Sequence, residues 1–173
     1  MPNRQSLLCF PGTPRKNDAL FLYGARQPKP FVLCYEQETI EVVHGPACIP
    51  EKEIDVERCL KEAVPIRERR SGGGTVVLSP GMVIIVVVGI RRKSEAIQET
   101  FARIHRGVIE SIDPANKLQI LHCGISDLAI RGRKILGSSL YMTQTPFHFY
   151  YQSSLMVDSD LSLIGRYLRH PPR

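Results

Sequence analysis

Apolar and polar residues alternate along this chain in short registers that change from one segment to the next. Phe31 to Tyr35 and Thr39 to His44 are rich in residues that suit a pleated surface, with the polar Glu36-Gln37-Glu38 between them, and predict two strands joined as a hairpin. Glu51 to Ala63 carries acidic residues first and Ile54, Val56, Leu60 and Ala63 after them, as a short amphipathic helix would, and Pro65 ends it. The unbroken apolar run Met82 to Ile90, rich in β-branched residues, predicts a buried strand. The strongest helical pattern follows Ser94, read as a cap, with Ile97, Phe101, Ile104, Val108 and Ile112 at three- and four-residue intervals, and Asp113-Pro114 closes it. Short strand-like runs come next at Leu118 to His122, Asp127 to Ile130, Ile135 to Tyr141 and Phe147 to Met156, and an amphipathic segment at Leu161 to Leu168. Strands and helices mix and hairpins recur. The expected fold class is therefore α+β, a mixed and largely antiparallel sheet with packed helices, and not a doubly wound parallel sheet.

Composition narrows the class. At 173 residues and 43% hydrophobic content the chain can bury one sizeable core, so residues 1–173 are expected to form a single domain. Met82 to Ile90 is far shorter than the roughly 20 residues that cross a bilayer, and the N-terminal apolar stretch is broken by Pro11-Gly12. Neither an anchor nor a signal peptide is expected, and a cytoplasmic location follows by default. The cysteines at 9, 34, 48, 59 and 123 form no C-x-x-C pair, which argues for reduced thiols over disulfides or a zinc cluster. A formal net charge of +6 favours acidic partners or phosphate-bearing ligands. Its lysines and arginines are dispersed, with no basic block interleaved with aromatics, so nucleic acid is not indicated. His44, His105, His148 and His170 lack metal-ligand spacing, and no metal site is expected from them.

Two segments carry chemistry. In Arg69-Arg70-Ser71-Gly72-Gly73-Gly74-Thr75-Val76-Val77, three glycines lie between two arginines and a strand. Glycines let backbone N–H groups approach a ligand at positive φ, and guanidinium groups hold carboxylates or phosphates, so the segment suits an anion site. It is neither a Walker loop nor a dinucleotide fingerprint, since no Gly-Lys-Ser/Thr follows and a strand stands where a helix should start. The competing reading is a flexible surface turn. In Ser126 to Ser139 a hairpin turns at Arg131-Gly132 and places Lys134 just beyond it. Taken alone, Lys134 is either a solvated charge or a compact donor to phosphate or carboxylate oxygens.

Taken together and in this order, the two segments resemble lipoate-protein ligase A and the octanoyltransferases, within the biotin/lipoate A/B protein ligase superfamily. Asn17-Asp18-Ala19-Leu20 resembles the family's N-terminal helix motif, Val42-Val43-His44-Gly45 the strand before its variable loop, and Asp160 to Arg173 the run to a Pro-Pro-Arg motif. The resemblance implies a class II synthetase or biotin-ligase-like fold. It implies Lys134 as the catalytic residue, with Arg70, Ser71, Gly72, Gly73, Gly74, Thr75, Asp127, Gly137 and Ser138 binding substrate and nucleotide. ATP with Mg²⁺ would activate lipoate or octanoate as the acyl-adenylate, and a lysine of a lipoyl-carrier domain would displace AMP. The carrier would be a 2-oxoacid dehydrogenase subunit or a glycine-cleavage H-type protein.

Related transferases work without ATP through a cysteine thioester, and Cys123, eleven residues before Lys134, is the candidate nucleophile. As a small apolar residue Cys123 also suits plain packing. A third reading is a module that binds an acyl-adenylate or a carrier without turnover. Val77-Leu78-Ser79 stands where ligases commonly have a histidine or other polar residue after the glycines, and Tyr150 to Ser154 where relatives carry a His-Gly pair. No small C-terminal accessory domain is expected within the chain, so an accessory ligase subunit joins the expected partners.

Overall fold

The computed structural model describes residues 18–144 and 146–169, so the expectations placed on Asn17, His170 and the Pro-Pro-Arg end lie outside the described residues. In chain order the elements are α1 (Asp18–Gly24), β1 (Phe31–Glu36), β2 (Glu41–His44), α2 (Pro50–Glu53), α3 (Val56–Lys61), β3 (Ile66–Glu68), β4 (Val76–Leu78), β5 (Met82–Ile90), α4 (Ile97–Ile112), β6 (Leu121–Cys123), β7 (Asp127–Ile130), β8 (Arg133–Met142), β9 (His148–Met156) and α5 (Ser162–Tyr167). They form an α+β arrangement of a six-stranded sheet ordered β1-β5-β9-β8-β7-β6 and a three-stranded sheet ordered β3-β2-β4. No described helix is long and apolar enough to cross a membrane. The chain divides into two compact units, one centred on Glu36–Met82 with the flanking segments up to Tyr23 and from Asp158, the other on Gly24–Tyr35 and Val83–Val157.

In the first unit β2 is central, parallel to β3 and antiparallel to β4, with Val42 facing Ile66 on one side and Val77 on the other. Its core joins Val42, Ile54, Cys59, Val64, Ile66, Val77, Tyr167 and Leu168. The helix expected over Glu51 to Ala63 is two short helices. Ile54 is extended and fully buried, bridging to Leu168, and Asp55 then accepts the Arg58 N–H at 3.1 Å to cap α3. Burial of one isoleucine thus outweighs continuation of the helix. Burial also pushes the Cys59 thiol up to about 11, so it stays protonated.

The hairpin expected from Phe31 to His44 does not form, because β1 is the edge of the larger sheet beside β5 while β2 is the centre of the smaller one. Gln37 is the reason. Its buried backbone N–H donates to the Met82 carbonyl at 2.9 Å, and its amide donates to Thr39 O at 2.8 Å and Glu41 Oε1 at 3.1 Å, so the linker is anchored as a crossover.

In the second unit β6 to β9 pair in succession as antiparallel strands. The amphipathic α4 lays Phe101, Ile104 and Val108 on one face of this sheet, against Ile85, Leu128, Leu136, Phe149 and Tyr151. Its start lies later than Ser94. Ala96 is the cap residue and donates its N–H to Glu99 at 2.9 Å, while Glu95 is held by Arg103 at 2.9 Å. At the other end Asp113 accepts from the Lys117 and Leu118 amides at 2.8 and 2.7 Å, which closes the helix as its Asp-Pro pair predicts. The apolar run Met82–Ile90 is β5, buried along nearly its whole length.

Candidate functional site

The glycine segment is the connection between β3 and β4 in the first unit, and Arg69 shapes it. Its guanidinium is buried and donates to the carbonyls of Gly72 at 3.0 Å, Gly74 at 2.6 Å and Val43 at 3.2 Å. In a trans peptide the carbonyl and the following N–H point in opposite directions. Turning the Gly72 and Gly74 carbonyls onto Arg69 therefore turns the N–H groups of Gly73 and Thr75 away from that cation, with all three glycines exposed. Gly73 requires its residue type, with φ at +101° and Arg69 Nη2 only 2.9 Å from where a Cβ would stand. Gly45, after β2, requires it too. A Cβ there would lie 2.4 Å from the Gly73 carbonyl oxygen.

The remaining residues of the segment are held by the same unit. Thr75 donates its hydroxyl to Glu53 at 2.6 Å, and this bond is the first cause holding the Glu53 carboxyl below its usual range. Cys48 Sγ donates to the Gly73 carbonyl at 3.5 Å, and Ser71 is buried. Arg70 forms a bidentate pair with Asp18, Nε to Oδ1 at 3.1 Å and Nη2 to Oδ2 at 3.0 Å, and its guanidinium carbon lies 5.5 Å from the Phe21 ring centre. It remains about a quarter exposed, on the loop beside the glycines. The two arginines that look equivalent in sequence thus differ: Arg69 is scaffold and Arg70 is at the surface.

In the second unit Lys134 stands where the sequence places it, immediately after a two-residue turn. Arg131 and Gly132 have φ of 50° and 74°, and Ile130 pairs with Arg133 across them, the geometry of a tight hairpin with both central residues left-handed. A register shift between Leu128 and Ala129 then offsets the strands, so that Ala129 faces Lys134 while Asp127 faces Gly137. Lys134 folds back across Gly137 to reach Asp127, with Nζ to Oδ2 at 2.8 Å. A Cβ at Gly137 would stand 3.0 Å from Lys134 Cε and 3.1 Å from Nζ, so glycine there leaves the groove in which the lysine lies. Half of the lysine side chain is exposed. Ser138, the next residue, turns its hydroxyl to the opposite face of the strand, donating to the Ser126 carbonyl at 2.5 Å and meeting His105 Nε2 at 3.1 Å.

Cys123 is the cross-strand partner of Asp127 and is exposed, so thiol, carboxylate and lysine share one face of the sheet. His122, the neighbouring residue, faces the other way, as strand alternation requires, with Nδ1 3.2 Å from Nδ1 of His105. It is not placed as a base for Cys123. Among the described residues no group of three or more histidine, cysteine or acidic side chains could hold a metal ion. The residues that sequence reasoning passed over are Asp18 as the partner of Arg70, Glu53 as the partner of Thr75, and His105 behind Ser138. No local spacing points to them, since the partners lie 52, 22 and 33 positions apart.

The fold is shared with known proteins. The family model described as the lipoyl protein ligase A/B catalytic domain matches residues 17–173. No curated protein matches the chain in sequence. Among solved structures, the bipartite lipoate protein ligase of Thermoplasma acidophilum, studied with its E2 lipoyl domain, is similar with a TM-score of 0.78 at 21% identity, over 91% of this chain and 60% of that one. A lipoate-protein ligase A bound with ATP gives 0.75 at 21% identity, over 90% and 65%. LipL1 of P. falciparum in complex with lipoate gives 0.71 at 14% identity, over 81% and 39%. The chain thus spans less than two thirds of each of these relatives' own length.

Proposed function

The chain belongs to the lipoyl protein ligase A/B catalytic domain family, and from that premise we propose that it activates lipoate or octanoate with ATP and transfers the acyl group to a lysine of a lipoyl-carrier domain. The observation that carries the reading is the exposed glycine loop, whose Gly72 and Gly74 carbonyls are gathered onto Arg69 so that the Gly73 N–H is turned away from that cation, an arrangement suited to oxyanions. The solved relatives bound with ATP, bound with lipoate, or studied with a lipoyl domain support the choice of ligands and partner.

In this reading a carboxylate oxygen attacks the α-phosphate, pyrophosphate leaves, and the carrier's ε-amine then displaces AMP from the acyl carbon. Neither step needs a side-chain nucleophile. Positioning and charge stabilisation are the protein's contribution. Lys134 offsets negative charge that builds on the carbonyl and phosphoryl oxygens, and the Asp127 carboxylate with the Gly137 groove fixes where its ammonium stands. Arg70 and the amides of Gly72 to Gly74 hold the nucleotide or the acyl carboxyl. Mg²⁺ would arrive on the phosphates of ATP, its common mode of binding where no dedicated protein cage exists.

The test is mass spectrometry of a lipoyl-domain acceptor after incubation with the chain, lipoate or octanoate, and Mg-ATP, beside Lys134→Ala. An acceptor mass gain that requires ATP and Lys134, with pyrophosphate released, is the expected result. A second reading is favoured by the position of Cys123 opposite Asp127: octanoyl transfer from an acyl carrier through a Cys123 thioester. ATP-independent gain, abolished by Cys123→Ser and accompanied by an acyl adduct on Cys123, would select it. Binding of acyl-adenylate without turnover would reduce both to a binding module.

A further inference from the structure

The face of the lysine hairpin turned toward α4 carries a line of hydrogen bonds that the proposed reaction does not use. His105, on α4, is fully buried, yet both of its ring nitrogens have partners. Nδ1 lies 3.2 Å from Nδ1 of His122 on β6, and Nε2 lies 3.1 Å from Ser138 Oγ on β8. Ser138 Oγ is in turn 2.5 Å from the Ser126 carbonyl oxygen, which also accepts the Ser138 backbone N–H at 2.9 Å.

The protons in this line can be assigned. A carbonyl oxygen only accepts, so the Ser138 hydroxyl proton lies on the Ser126 contact and the hydroxyl turns a lone pair to His105. His105 must then carry its hydrogen on Nε2. Burial, first, and the neighbouring His122, second, push the His105 imidazolium down to about 4, against the opposing pull of Asp127, so the ring is neutral at ordinary pH. A neutral ring protonated at Nε2 has a bare Nδ1. The last link therefore runs from His122 Nδ1–H to His105 Nδ1, and donation passes from the exposed His122 through His105 and Ser138 to the Ser126 carbonyl.

Ser126 and Ser138 flank the lysine groove. Ser126 precedes Asp127, the ion-pair partner of Lys134, and Ser138 follows Gly137, across which Lys134 lies. We propose that His105 is a positioning residue for Lys134, clamping Ser126 to Ser138 from behind, and that the exposed His122 makes this clamp respond to protonation. The imidazolium form of His122 always carries Nδ1–H, whereas the neutral ring carries it in only one of two tautomers. With His122 as the imidazolium the line is always complete; with the neutral ring it competes with the tautomer that breaks it.

The groups around the pair are few. Arg106 and Glu110 on α4 and Asp113 at its end line the groove that also contains His122. Asp127 on β7 acts on His105 and binds Lys134. The Tyr151 ring on β9 meets the His105 ring edge-on at 5.7 Å, its phenol pushed up to about 12 by burial. Of these residue types only histidine ordinarily changes charge between about pH 5 and 8.

The inference rests on the reading that Lys134 acts on the acyl or phosphoryl oxygens, and its test has a readout that does not need activity. The full chain, His122→Gln and His105→Gln are followed by NMR across about pH 5 to 8, recording the histidine ring nitrogens and the backbone amides of Asp127, Lys134, Gly137 and Ser138. The expected result is that His105 stays in the Nε2–H tautomer while those amides change together with the His122 ring nitrogens. His122→Gln should abolish the inflection. His105→Gln, which keeps a donor toward Ser138 but moves the acceptor off the Nδ1 position, should keep the hairpin shifts but also lose the inflection. A His105 ring found in the Nδ1–H tautomer, or an inflection that persists in His122→Gln, would overturn the proposal. If acyl transfer occurs, its kcat should share the inflection in the native chain and lose it in His122→Gln. If the amides follow His122 while no acyl donor supports transfer, the clamp stands and the reaction assignment fails.

Discussion

Two adjacent arginines with the same chemistry have different fates in this chain. Arg69 gathers three backbone carbonyls from inside the glycine loop, whereas Arg70 pairs with Asp18 at the surface. Arg69→Met keeps the aliphatic bulk but strands those carbonyls, and should cost about 2–3 kcal/mol. Arg70→Met removes a partly exposed ion pair and should cost about 1 kcal/mol or less. Urea unfolding of the two variants checks the contrast, and equal losses would mean that the loop is not built on Arg69. Nothing in the run Arg69-Arg70 distinguishes them beforehand, because the difference arises from the Val43 carbonyl and the Asp18 carboxylate, 26 and 52 positions away.

At the scale of elements, the β7–β8 hairpin was readable from its turn, since Gly132 beside a polar residue suits two left-handed residues in succession. Arg131 adopts that conformation at φ 50° despite its side chain. Arg131→Asn should therefore stabilise the chain by about half a kcal/mol, visible as a small rise in Tm. The packing of α4 on the sheet carries a pH dependence. His105 binds its proton at about 4 in the folded chain and at about 6.5 when unfolded. Between these values the unfolded chain takes up the proton first, so stability is full above about pH 6.5 and falls as pH falls toward 4, by a total on the order of 3 kcal/mol. Glu53, Asp55 and Glu95, whose carboxyls are held below their usual range, lose their contributions in a lower window, below about pH 4.5. Urea midpoints from pH 7 to 5 should thus slope downward in the native chain and flatten in His105→Gln. A slope unchanged by that substitution would place the titrating group elsewhere.

For the molecule as a whole, a net charge of +6 favours an acidic carrier, and long-range attraction of that kind is screened by salt. If the proposed transfer takes place, with an acidic lipoyl domain it should lose kcat/KM several-fold between about 0.05 and 0.5 M ionic strength with kcat little changed; a flat profile would assign recognition to short-range contacts. The features readable in the residues alone are those with local causes. β5 follows from a run of β-branched residues, α4 from three- and four-residue spacing and an Asp-Pro stop, the lysine hairpin from its turn, and the family from two signatures in order. The pairing of strands had no such local cause. Phe31 to Tyr35 and Thr39 to His44 form strands as their composition predicts, but Gln37 bound to Met82 sends them to different sheets. A helix pattern over Glu51 to Ala63 gave way where Ile54 could be buried against Leu168. The lines behind the two signatures, Arg69 to its carbonyls and His122 through His105 to Ser126, likewise exist only once distant segments meet. Periodicity and turn chemistry act over a few residues, whereas burial and hydrogen-bond satisfaction act between whichever groups the folded chain brings within about 3 Å, and only the latter could separate one arginine or one histidine from its neighbours.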